Sequence, residues 1–209
     1  MQQKNQEQHQ HFILYKPYGY LSQFVNNQTR RKNKKLLGAL YHFPKKTMAI
    51  GRLDERSEGL LLMTTDGLAS EFVRSSKVEK EYYAQVDGLI TDEAIEELKK
   101  GVEIGFSGKK YQTKPCIASK IEGIPQLPPT AQRIRGEHHG PTSWVSITLR
   151  EGKYRQVRKM TAAVGFATLR LVRVRIGNIH IGKMKAGDVL MLDLNDIQGG
   201  INSNWKREN

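Results

Sequence analysis

One cysteine, Cys116, stands in 209 residues, so no disulfide can close within the chain, and with no signal-like apolar segment after the polar start a cytoplasmic, reducing compartment is expected. The six histidines have no CxxC or HxxxH spacing around them, which excludes the structural zinc templates. There is no G-x-x-x-x-G-K-[ST] loop, and Gly101, Gly105 and Gly108 lack dinucleotide-binding spacing, so chemistry without a metal or cofactor is expected. No apolar run is long enough to span a bilayer, and no basic amphipathic helix with aromatic anchors suits a membrane surface. Acidic side chains are scarce too: 21 Asp plus Glu stand against 34 Lys plus Arg, a formal charge of +13. That surplus is the footprint of a protein that meets a polyanion, and nucleic acid is the expected partner.

An apolar content of 38% in this length allows one domain, or two closely packed subdomains. Residues 1–10 are Gln-rich and almost without apolar side chains, so they are expected to form a flexible tail, as are residues 196–209. Between them, 11–195 is expected to fold as one unit. Arg30, Arg31, Lys32, Lys34 and Lys35 crowd five cations into six residues. Such a run is either a solvated loop or a contact for phosphates.

Phe12–Tyr15 reads as a first strand, closed by the Pro17 and Gly19 loop, and Leu60–Met63 as a second, buried strand closed by an Asp66-Gly67 turn. Leu68, Phe72 and Val73 are spaced as on a short helix, and Tyr82, Ala84 and Val86 alternate as on one face of a strand. Thr91 is placed to cap a helix with Ile95 and Leu98 inward. Strands are expected over 102–106 and 112–121, then a proline-broken loop over 122–142 whose Arg133, Arg135, His138 and His139 suggest a polyanion contact. A strand over 144–150 and a helix over 153–164 follow, with Arg155, Arg158 and Lys159 sharing the helix side opposite its buried stripe. In the next strand the apolar positions change parity after Leu171, the sign of a bulge.

The stretch from Gly51 to Gly67, GRLDERSEGLLLMTTDG, sets Asp54 among arginines on a loop that leads into the buried strand. An acid in a charged loop is ordinarily solvated or caps a turn. Here, though, the whole segment resembles the G-R-L-D-x-x-[TS]-x-G-L-L-L-x-T-x-D-G signature of pseudouridine synthases of the small-subunit-A type, which isomerise uridine in ribosomal RNA. Lys16-Pro17-Tyr18-Gly19 resembles the K-P-x-G opening of that family, Lys80-Glu81-Tyr82 its K-x-Y strand, and Glu151–Met160 its third motif. Around that motif, 141–144 and 164–173 are especially similar to the type-E branch of the family, which acts on large-subunit RNA.

The resemblance implies an α+β pseudouridine synthase fold, a mixed and mostly antiparallel sheet flanked by helices, with the active cleft between two subdomains; it makes 11–195 the catalytic domain, with no separate RNA-binding domain expected before it. It implies Asp54 as nucleophile or base, Arg158 as the cation beside it, and Tyr82 as the ring that stacks on the extruded base. Arg52 is carried over to the space the uridine vacates and Leu171 to the pocket floor, with Lys16, Arg155 and Lys159 as further contacts to substrate. The partner it implies is 23S-type ribosomal RNA or a large-subunit precursor, met by a monomer with no metal and no cofactor. A carboxylate removed from water ionises reluctantly, which is why a cation is needed against it. Two other classes compete. An RNA-binding assembly factor would share the charge and Tyr82 without needing Asp54, and a glycoside hydrolase would require a second carboxylate that the sequence does not offer.

Overall fold

Residues 9–26, 33–75 and 77–192 are those the computed structural model describes. The strands are β1 (His11–Lys16), β2 (Tyr20–Leu21), β3 (Lys35–Leu36), β4 (Met48–Ala49), β5 (Glu58–Thr64), β6 (Lys80–Asp87), β7 (Glu103–Phe106), β8 (Lys109–Gln112), β9 (Ile117–Ile121), β10 (Thr142–Leu149), β11 (Thr168–Ile176), β12 (Ile179–His180) and β13 (Val189–Leu192). The α-helices are α1 (Gly67–Arg74), α2 (Asp92–Lys100) and α3 (Gln156–Ala163). One sheet runs β13-β1-β5-β11-β6-β10-β9, with β4 added to β5 and β12 to β11. Among the described residues every pairing in it is antiparallel except β5 with β11. This is the α+β, mixed and mostly antiparallel architecture that the sequence implies.

The two halves of the chain meet at that parallel seam, where Val172 aligns with Glu58 and Arg173 with Gly59. All residues of β1 and β5 are buried, as expected of central strands that carry apolar side chains on both faces. On one face Ile13, Tyr15, Leu60, Leu62, Val172, Val174 and Ile176 form a continuous core. The alternate positions build two separate clusters, one around Phe12, Leu14, Leu61 and Met63, the other around Ala84, Val86, Ile147, Leu171 and Met160. A cleft opens beside the second of these clusters, whose Tyr82, Leu149, Val157 and Leu171 line it.

Several local expectations hold. The Asp66 carboxylate accepts from the N–H groups of Leu68 and Ala69 to cap α1, and the Thr91 hydroxyl accepts from Ala94 N–H to cap α2. Others are corrected. Leu68 is exposed, so that of the expected positions only Val73 and the half-buried Phe72 face the core, with Ala69 and Ser70 buried beside them. The strand expected over 112–121 is shorter, β9 over 117–121, while Gln112 ends β8, an additional strand that turns back on β7 through Ser107 and Gly108, both at positive φ, the signature of a tight hairpin. The irregularity expected in β11 is there: the strand carries two register shifts against β6, one between Thr168 and Arg170 and one between Arg173 and Arg175. The change of parity reflects burial on both faces: Leu171 belongs to one core and Val172 to the other.

The loop over 122–142 is not a free basic arm. Thr130 donates its hydroxyl to Glu58, Gln132 donates to Leu169 O, and Arg170 donates to Pro128 O at 2.7 Å, so the loop is strapped across the sheet. Arg135, expected to meet a polyanion, is taken up by the Asp87 carboxylate and the carbonyls of Gly140 and Pro141. Arg30, Arg31 and Lys32 lie outside the described residues, as do both tails except His9 and Gln10. Gln10 exchanges backbone and side-chain hydrogen bonds with Thr65 at 3.0 Å.

The seam sets a strict steric demand. Gly59 sits at φ +100, and a Cβ there would lie 2.3 Å from the carbonyl oxygen of Arg173 and 2.8 Å from its nitrogen. Gly59→Ala is therefore expected to cost at least about 3 kcal/mol, combining left-handed strain with a backbone clash across the seam. Chemical denaturation measures it; a loss under about 1 kcal/mol contradicts the close approach.

Candidate active site

The cleft holds a cavity of about 540 Å³, lined by Arg52, Asp54, Tyr82, Arg155 and Leu171 together with Lys153, Tyr154, Gln156 and Val157. Five of the residues singled out from the sequence thus converge on one space. Tyr82 comes from β6 and Leu171 from β11, strands adjacent in the sheet, so both rest on rigid backbone against one core. Arg173 aligns with Tyr82 in register, and its guanidinium carbon lies 6.0 Å from the ring centroid.

Asp54 sits in a turn fastened from several directions. Ser22 donates its hydroxyl to Leu53 O at 2.8 Å and accepts from Leu53 N–H at 2.9 Å, which ties the loop after β1 to the residue before the acid. Gly19 N–H donates to Glu55 O at 2.8 Å, and Ser57 N–H donates to Asp54 O at 3.0 Å. From the other half of the chain, Arg158 donates to Arg56 O at 2.7 Å and to Thr168 O at 3.1 Å. The motifs that are far apart in sequence are therefore physically locked to one another.

The direct ionic partner of Asp54 is Arg155, at 3.7 Å, and not Arg158. The reason lies in where the helix begins. The expected helix over 153–164 starts at Gln156, because Arg155 takes a left-handed conformation, φ 54 and ψ 35. Gln156 accepts from Lys153 N–H at 2.8 Å and donates to the Glu151 carboxylate at 2.6 Å, holding 151–155 as a loop. That loop swings Arg155 over the cavity, while Arg158, inside the first turn of α3, braces the Asp54 turn from behind through backbone carbonyls. Burial and the neighbouring Arg155 push the Arg158 guanidinium below its ordinary value, and the Asp54 carboxylate opposes them, so Arg158 still feels the acid.

Lys16 and Lys159 do not line the cavity. Lys16 is fully buried and donates to Pro17 O at 2.9 Å and Tyr20 O at 2.7 Å, shaping the loop that reaches Leu53. Burial pushes its ammonium down to about 7, against the pull of Glu58, Asp54 and Glu55. Lys159 donates to Gly105 O at 2.6 Å and lies over the Tyr154 ring. Sequence reasoning missed Ser22, Glu151, Lys153 and Gln156. Burial raises the Glu151 carboxyl, but hydrogen bonds from Tyr111, Lys114 N–H and Gln156, with Lys153 nearby, more than offset it and leave it below its usual range. Each of these missed residues left a signal of place though not of role, since Ser22 lies just after the K-P-x-G motif and Glu151, Lys153 and Gln156 lie in the third motif. Among the described residues no group of three or more His, Cys, Asp or Glu side chains is placed to hold a metal ion.

Residues 10–163 match a family model described as RNA pseudouridylate synthase. The chain is 40% identical to ribosomal large subunit pseudouridine synthase E of Vibrio parahaemolyticus over 177 residues, which is 84% of this chain and 70% of that protein. It is 39% identical to the protein of the same name from Xanthomonas axonopodis pv. citri over 168 residues, 79% of this chain and 85% of that one. Among solved structures, a pseudouridylate synthase crystal structure aligns with a TM-score of 0.72 at 26% identity, over 92% of this chain and 74% of the other.

The depressed Lys16 ammonium gives stability a pH dependence whose sign is fixed. An unfolded Lys holds its proton up to 10.5, so between about 7 and 10.5 the unfolded chain binds more protons and folding gains with rising pH. This contribution is complete above 10.5 and is lost as pH falls through about 7. From pH 7 to 9, wild type is expected to gain up to about 1.4 kcal/mol per pH unit relative to Lys16→Met in urea unfolding. Parallel curves for the two proteins contradict a buried, neutralising lysine.

Proposed function

The chain belongs to the RNA pseudouridylate synthase family, and on that premise we propose that it converts one specific uridine of large-subunit ribosomal RNA to pseudouridine, with Asp54 as the reacting group. As a pseudouridine synthase it is an isomerase: the C1′–N1 bond of uridine breaks, the uracil turns while held, and a C1′–C5 bond forms. C5 gives up a proton and N1 takes one, so nothing else is consumed. The names of its relatives support the ribosomal substrate, and the charge of +13 suits it.

The observation that supports the role of Asp54 is its place in the cavity with the Arg155 guanidinium 3.7 Å away and with Tyr82 and Leu171, from two adjacent strands, lining the same space. Its carboxylate acts either by attacking C1′ or by removing a ribose proton, and both need it charged with water displaced by substrate. Arg155 supplies the nearby positive charge, and Arg158 holds the turn so that the acid meets the sugar in one geometry. The Tyr82 ring stacks on the extruded base, an interaction worth ~1–3 kcal/mol, and Leu171 gives the base an apolar floor. The exposed Arg52 at the rim takes up the space left in the RNA, lowering the few kcal/mol that extrusion costs. Residues 11–195 form the catalytic unit and act in the cytoplasm.

With purified protein and large-subunit RNA, Asp54→Asn is expected to abolish pseudouridine formation, a loss of at least ~10³-fold, while RNA affinity stays within about threefold. Arg155→Gln and Arg158→Met should each slow the reaction, and only Arg158→Met should also lower stability, because it removes the brace on Arg56 and Thr168. Tritium release from C5-labelled uridine and a filter-binding assay read the two quantities. Normal product from Asp54→Asn removes the acid from the reaction.

A further inference from the structure

Tyr154 is two-thirds exposed (67%) and yet lines the same cavity as Asp54 and Tyr82. The Lys159 ammonium lies 5.4 Å from its ring centroid and is itself anchored on Gly105 O, so a cation tethered to the β7–β8 hairpin supports the ring. The next residue, Arg155, lines the same cavity and is held in left-handed geometry just before α3, which keeps Tyr154 out of the helix. Lys153, on the other side of Tyr154, is drawn away onto Phe106 and Tyr111, at 5.3 and 4.7 Å from their centroids. The cavity thus has an inner aromatic, Tyr82, and a supported outer one at its rim.

We propose that Tyr154 is a second stacking site, which binds the unpaired RNA base next to the target uridine. This rests on the pseudouridine synthase reading and adds a subsite to it. When a uridine is drawn out of its stack, its neighbour loses a stacking partner, and the strand must cross the rim to deliver the nucleotide to Asp54. A ring at the rim replaces that lost partner without reading base identity, since every base offers a π-face. Lys159, which lies over the ring, and Arg155, the next residue in the chain, supply positive charge for the phosphates of the stacked nucleotide.

The test uses the whole protein and an RNA fragment that contains the converted uridine, with 2-aminopurine at the adjacent position. Wild type is expected to quench the probe on binding; Tyr154→Ala should lose most of the quenching and bind about tenfold more weakly, with the first-order rate at saturating RNA changing less than Kd. Tyr154→Phe and Tyr154→Trp should stay within about threefold of wild type, and the salt dependence of Kd should be the same for Tyr154→Ala as for wild type, because stacking releases no counterions. The proposal is overturned if Tyr154→Ala quenches and binds as wild type does, if Tyr154→Phe is as weak as Tyr154→Ala, or if the saturated rate falls while Kd is unchanged. Absence of product from wild type on this RNA would instead strike the functional reading, and the quenching still reports on the subsite.

Discussion

A turn held rigid by both halves of the chain is what everything at this site depends on. The carboxylate of Asp54 can serve chemistry only if it stays put when substrate displaces water, and a turn in solution would not keep it there. Here the Ser22 hydroxyl grips Leu53, Gly19 reaches Glu55, and Arg158 crosses 102 positions of sequence to hold the carbonyl of Arg56. The parallel seam of Glu58 and Gly59 with Val172 and Arg173 lies directly behind that turn. The acid is therefore presented from the edge of a fully buried strand, where backbone motion is most costly.

The same design tolerates an unusual density of charge in the interior. Glu58 and Arg170 pair at 2.8 Å with side chains 1% and 9% exposed, and Lys16 and Arg173 are buried close by. Pairs of this kind rarely improve stability over apolar residues, and losing one partner costs ~3–5 kcal/mol. What they supply is geometry. Glu58 also receives Thr130, and Arg170 donates to Pro128, so the proline-rich loop is bound to the middle of the sheet by buried groups. Lys16 does the same for the loop after β1.

Much of this was legible in the sequence, and the parts that were not share one cause. Strands with strong apolar alternation, such as β6 and β10, and helices with side-chain caps, such as α2, follow from local pattern, and the Asp54 motif marks the acid by its resemblance to a family. Tyr82, Arg52, Leu171 and Arg155 reach the cavity as the motifs imply. That Arg155 rather than Arg158 lies against Asp54 was hidden, because it turns on one left-handed residue and on the Gln156 side chain bonding to Glu151 and Lys153, which holds 151–155 out of the helix. The β7–β8 hairpin was hidden for a similar reason: its two-residue turn also puts a non-glycine residue, Ser107, at positive φ beside Gly108, and β8 itself carries little apolar pattern. Arg133, Arg135 and the two histidines of the 122–142 loop looked alike as charges, and only tertiary contacts assign Arg135 to Asp87. Composition fixes how many cations there are, and packing decides which are free to meet RNA.

The central claim is that one carboxylate, clamped between the halves of this chain, transforms one nucleotide of the large ribosomal RNA. A position-resolved map of pseudouridine in ribosomal RNA, compared between cells that make this protein and cells that lack it, tests that claim most directly. A single large-subunit position is expected to revert to uridine when the protein is absent, with every other position unchanged. Identical maps, or a loss confined to another class of RNA, would contradict it.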